Sequence, residues 1–212
     1  IAAGEENTLT VGFPENSDMK DVLLLIGWFG SLGSRSHNGW GSLQLDGMAL
    51  PTAINLQPFA RELSQCLTLD WAHAIGKDEE GVLVWLTEPK KDWRAAMSAL
   101  AHIKVGVRAT AKKFRDISKI CGVHLLGYPA GGDWTLREFP KEARLSSQLR
   151  FKVFDTNKWV VGVIYHVPAK LPEVLRSKLT DKQKQWLQVN ELSVWRAIHE
   201  YLESNSRISR FK

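Results

Sequence analysis

The chain lacks any long apolar run. Its most hydrophobic stretch, Val22 to Leu25 with its neighbours, falls far short of the roughly 20 residues that a membrane-spanning helix needs. No segment resembles a cleavable signal, so the expectations are no membrane partner and a cytoplasmic location. Cysteine is nearly as scarce: Cys66 and Cys121 stand alone, without a CxxC pair. That spacing supports neither a disulfide framework nor a zinc cluster, and both are expected to be buried thiols. Paired carboxylates and nucleophile motifs such as GxSxG are absent, which points away from those classes of hydrolase. GxxxxGK[ST] has no match, and GxGxxG fails after Gly39-Trp-Gly41 because Gln44 stands where the last glycine should be. No cofactor or metal is therefore expected.

What is present suits an ordinary globular protein. At 212 residues, 44% hydrophobic and 24% charged, the chain can bury one good core or two small ones. The net charge is +5 and unevenly placed. Lys104, Arg108, Lys112, Lys113, Arg115 and Lys119 face a single acid in the same stretch, Asp116, and account for the whole excess. A polyanionic partner would explain such a stripe, and so would a solvated helix face.

Along the chain, Thr8 to Phe13 alternates as a strand does, and Ser17 or Asp18 can cap a helix through Val22, Leu25, Ile26 and Phe29. A glycine-rich segment follows, then a short strand at Trp40, Leu43 and Leu45. From Pro51 a second region opens, with a helix at Pro58 carrying Phe59, Leu63, Cys66 and Leu67, and a strand from Val82 to Leu86. Next comes a long helix from Asp92 that Gly106 weakens and could split. Leu149 to Phe154 and Val161 to Val167 form a hairpin across Asp155-Thr-Asn-Lys158. The last helix starts at the capping box Thr180-Asp-Lys-Gln183. Within it, His199-Glu-Tyr-Leu-Glu203 misses the HExxH zinc motif by its last residue and reads as a solvated face.

The segment Gly30-Ser-Leu-Gly-Ser-Arg-Ser-His-Asn-Gly-Trp-Gly41 carries four glycines in twelve residues. It follows a helix and leads to a strand, the reverse of a nucleotide-binding turn. A tight connection would also use glycine, but four glycines and an arginine exceed what a turn needs. Ser34, Arg35, Ser36, His37 and Asn38 are side chains that bond phosphates, sugar hydroxyls and base edges, and Trp40 is the best placed of nine tryptophans to stack on a base.

This helix followed by G-x-L-G-S-R-S-x-x-G-[aromatic]-G-S-L resembles the signature loop of the RAMP superfamily of type III CRISPR systems. The likeness is nearest to the large RAMP subunits of the type III-B Cmr module, although His37-Asn38 stands where a second basic residue is usual in that family. Arg144-Leu-Ser-Ser-Gln-Leu-Arg-Phe-Lys-Val153 is similar to an arginine-serine-strand pattern of a second RAMP domain. The resemblance implies an α+β protein of ferredoxin-like, RRM-like domains. Residues 1–50 would be the C-terminal part of a first domain whose beginning is absent, and 51–212 a second domain with helical insertions.

It further implies a non-catalytic subunit of an effector complex in antiviral defence. Its partners would be guide RNA held near the 3′ end, target RNA and other RAMP subunits. The RNA-binding set implied is Gly30, Gly33, Ser34, Arg35, Ser36, His37, Asn38, Gly39, Trp40, Arg108, Lys112, Lys113, Arg115, Arg144, Arg150 and Lys152. Two other readings stay open: a metal-independent guide-processing endoribonuclease using His37 as base, and a protein-interaction module of tryptophan-rich helices.

Overall fold

A computed structural model describes residues 5–15, 19–33, 35–115, 119–129, 136–140 and 142–211. The fold is mixed α+β with two small sheets. Helix α1 spans Lys20–Phe29, and the short helices α2 and α3 span Ala53–Leu56 and Leu63–Cys66. Strand β1 (Ala60–Glu62) runs parallel to β2 (Ile75–Asp78), which pairs antiparallel with β3 (Gly81–Val82). Leu83 passes the chain from one sheet to the other. Its N–H bonds Gly76 O at 2.7 Å in the first, and its carbonyl accepts from His166 N at 3.0 Å in the second.

The second sheet grows from one consecutive run: β4 (Val84–Thr87), α4 (Trp93–Lys112), β5 (Leu149–Asp155), β6 (Val160–His166), α7 (Asp181–Glu203) and β7 (Ile208–Arg210). Two single-turn helices interrupt it, α5 (Val123–Leu126) and α6 (Glu173–Arg176). The strand order is β5-β6-β4-β7, antiparallel throughout. Because side chains alternate along a strand, each face feeds a different core. Trp85, Leu149, Phe151 and Ile164 pack with Leu100, Ile103 and Val107 of α4 and with Val194, Trp195 and Ile198 of α7. On the other face Val84, Phe154, Val161, Val163 and Tyr165 meet Trp28 of α1 and Leu56, Ala60, Ile75 and Val82. The molecule is thus layered, with the four-stranded sheet in the middle.

Local chemistry explains the long helices. Asp92 Oδ1 accepts from Ala95 N at 2.8 Å to start α4, and Thr180 with Gln183 forms the reciprocal capping box of α7. Gly106 does not split α4. A Cβ there would lie 1.8 Å from Tyr201 Oη, so the glycine lets α7 approach, at a cost of about 1 kcal/mol of helix propensity. At the far edge the Arg210 guanidinium meets Asp78, Glu203 at 2.7 Å and Glu80 at 3.5 Å, tying β7 to the β2–β3 turn.

Several expected elements differ. Residues 8–13 form no strand and are mostly exposed, since alternation makes no strand without a partner edge. The helix expected from Pro58 is broken, because Ala60–Glu62 pairs with β2 instead. Ser17 and Asp18 lie outside the described residues. Cys66 and Cys121 are buried free thiols. His199 is not solvated: it is buried, with Nε2 3.0 Å from His166 Nδ1 and its ring 5.4 Å from that of Trp85. Among the described residues no helix is long and apolar enough to cross a membrane.

Candidate nucleic-acid interface

The glycine-rich segment is a loop strapped over the β5 edge of the sheet. Its base is closed by Leu32 N to Gly41 O at 2.8 Å and Leu43 N to Gly30 O at 3.0 Å. Its tip turns through Asn38 N to Arg35 O at 2.9 Å. The returning limb then runs parallel to β5 as an irregular fifth strand. Asn38 bridges Phe151, Ser42 Oγ accepts from Val153 N at 2.9 Å, and Gln44 holds both backbone groups of Asp155 at 3.0 and 2.7 Å. The short strand expected at Trp40, Leu43 and Leu45 is therefore replaced by side-chain mimicry of a ladder.

Two contacts fix this limb in depth. Lys152, fully buried, donates from Nζ to Gly27 O at 2.8 Å, Gly30 O at 3.1 Å and Leu43 O, giving an acceptor to each of its three N–H groups. Burial pushes its pKa down to about 7. On the helix side, Gly39 (φ +90°) lies against Met97 and Leu100 of α4, where a Cβ would come within 2.8 Å of Met97 Sδ.

Between loop, helix and sheet edge opens a cavity of about 440 Å³. One wall is Arg35, Ser36, His37 and Asn38, the second is Lys104, Val107 and Arg108, and the third is Leu126 to Pro129 with Arg144 to Ser147. Lys104 and Arg108 are one turn apart on α4 and so share a face. Tyr128 pairs with Leu145 in both directions, at 3.0 and 2.9 Å, which folds the third wall back onto itself. Four cationic side chains line the space, and among its described lining residues none is acidic. Lys104 Nζ donates to Asn38 Oδ1, and burial followed by the Arg108 charge lowers its pKa. His37 is likewise lowered, by burial first and Arg150 second, so it sits neutral at pH 7 as donor and acceptor at once.

The predicted residues therefore divide. Arg35, Ser36, His37, Asn38, Arg108 and Arg144 meet in the cavity. Gly30 and Gly33 shape the loop's base and tip, and Ser34 lies outside the described residues. Arg150 stands behind the wall, donating from Nε to Ser147 O at 3.3 Å. Lys112, Lys113 and Arg115 do not line the cavity: they sit at the C-terminal end of α4 and just beyond it. Lys152 needs correcting, because its buried ammonium is consumed by three carbonyls and is out of reach of an external phosphate. Trp40 is exposed and packs edge-on against Trp93 at 6.1 Å, toward the N-terminal end of α4.

The implied RNA-binding set left out Lys104, Tyr128, Pro129 and Ser147. Pro129 and the glycines that follow it in the sequence were the available signal, but the pairing of Tyr128 with Leu145 spans a sequence gap that no local pattern encodes. Among the described residues no group of three His, Cys, Asp or Glu side chains could hold a metal. Compared with protein-family models, curated proteins and solved structures, the chain matches none.

Proposed function

We propose that this chain binds RNA in the cavity at the β5 edge, as a non-catalytic RAMP subunit of a type III CRISPR effector complex that holds guide RNA near its 3′ end. One observation carries the reading: three segments far apart in sequence, the glycine loop, the basic stripe of α4 and the stretch from Arg144, close on a single cationic space. Cations and backbone groups of this kind bind phosphate and sugar without reading bases, which is what holding a guide of any sequence demands.

Topology supports the same reading. We read the β-α-β-β-α-β order with strands β5-β6-β4-β7 as a split βαβ, ferredoxin-like unit. This suits a RAMP domain over residues 51–212, with insertions ahead of β4 and between α4 and β5. Other RAMP subunits, and target RNA beside the guide, are the partners this reading assigns.

The test is to purify the chain with its native complex and measure guide retention for wild type and for Arg35→Ala with Arg108→Ala. Weakened retention across unrelated guide sequences is expected, and unchanged retention refutes the proposal. His37 lines the same cavity, so repeat RNA is incubated with the same proteins. Cleavage abolished by His37→Ala would replace this reading with the endoribonuclease one.

A further inference from the structure

The loop is matched to α4 turn by turn: Asn38 meets Lys104, Gly39 meets Met97 and Leu100, and Trp40 meets Trp93. Helical spacing puts Trp93, Met97, Leu100, Lys104 and Arg108 on one face. The cationic cavity and the tryptophan pair therefore flank the buried loop–helix contact at Gly39 and Leu100, roughly 16 Å apart along the helix.

The tryptophan end is held ready. Trp40 stands between Gly39 (φ +90°) and Gly41 (φ +63°), whose left-handed backbone aims the indole outward, and it keeps 48% of its surface exposed. Trp93 braces it edge-on at 6.1 Å, and the Arg94 guanidinium lies 5.4 Å from the Trp93 ring. Asp92, the residue before Trp93, caps α4 with its carboxylate. A braced, exposed indole with a guanidinium beside it, on the same loop as the cationic cavity, has the chemistry of a base platform.

Resting on the RNA reading above, we infer that the site takes single-stranded RNA, stacking a base on Trp40 against Trp93 while phosphates a few nucleotides away enter the Lys104–Arg108 cavity. A duplex keeps its bases stacked on each other and has none to offer the indole, so the surface selects the unpaired strand.

The experiment follows binding of three probes by the full chain: an oligouridylate, an abasic ribose-phosphate oligomer of equal length and a blunt RNA duplex. Wild type is expected to bind oligouridylate about ten-fold or more tighter than the abasic oligomer, the usual size of one stacked base. Trp40→Ala and Trp40→Leu should lose that preference while keeping abasic binding, and Trp40→Phe should retain most of it. Equal wild-type affinity for oligouridylate and abasic oligomer, tighter binding of the duplex, or equal losses on both single-stranded probes in the variants overturns the stacking inference and leaves the RNA reading standing. Wild type that binds no probe overturns both.

Discussion

The cavity makes a quantitative claim about salt. Four cations line it, Arg35, Lys104, Arg108 and Arg144. If each neutralises one phosphate of a single strand, log affinity should fall against log salt with a slope of about −2.8, a loss of about fifty-fold between 50 and 200 mM. Arg108→Gln removes one cation and keeps helix propensity, so the slope should shallow to about −2.1 and the loss to about twenty-fold. Lys113→Gln is the matched control, for Lys113 is exposed at the C-cap of α4 and lines no part of the cavity. Polarisation of a labelled oligouridylate across five salt concentrations reads both slopes. A wild-type slope near zero, or an Arg108→Gln slope equal to wild type, refutes the phosphate assignment. A shift in Lys113→Gln as large as in Arg108→Gln would instead spread the contact over the outer helix face.

Two predictions concern the buried titratable groups. Burial lowers the His199 pKa from 6.5 to about 4, with Asp78 raising it and Arg210 lowering it less strongly, so the unfolded chain takes up the proton first. Stability is full above pH 6.5 and falls by about 3 kcal/mol on the way to pH 4, and His199→Gln should flatten that fall in urea midpoints measured from pH 7.5 to 4.5. An unaltered acid profile in the variant would contradict the buried neutral pair. For Lys152, folded at about 7 against 10.5 unfolded, the unfolded chain again holds more protons between those values. Stability should rise from pH 7 to 9, by about 2 kcal/mol in all, and Lys152→Met should abolish the rise; a parallel slope in the variant would mean that the ammonium is not buried.

What the sequence made legible was local. The Thr180–Gln183 box, the hairpin with its Asp155 turn and the core stripe of α4 are written in neighbouring residues, and each element formed. What it hid was long-range. Lys152 looked like one more surface cation beside Arg150, yet its partners Gly27 and Leu43 are 125 and 109 positions away. His199 looked solvated because its partner, His166, sits on a strand 33 residues earlier. The β1–β2 pairing overrode a plausible helical pattern for the same reason. In the site, the glycine loop was legible by composition, but that Lys104 rather than Lys113 would face it depended on where α4 packs.

The same packing decides where a ligand can approach. In a β-α-β-β-α-β sheet the two helices take one face, and nucleic acid could spread over the other. Here that face is closed, since Trp28, Leu56, Ala60, Ile75 and Val82 seal Val84, Phe154, Val161 and Val163 from solvent. The β5 edge remains, and the loop limb that covers it pairs through one bridge at Asn38 and otherwise through Ser42 and Gln44. The backbone pairing stops at His37, whose carbonyl accepts from Phe151 N at 3.1 Å, and leaves Arg35, Ser36 and the His37 side chain to wall a cavity with α4. Lys152 holds that limb from beneath without joining the wall. Substitutions on the covered face should therefore change stability and leave the proposed RNA affinity of the folded fraction intact, whereas substitutions along the edge should do the reverse.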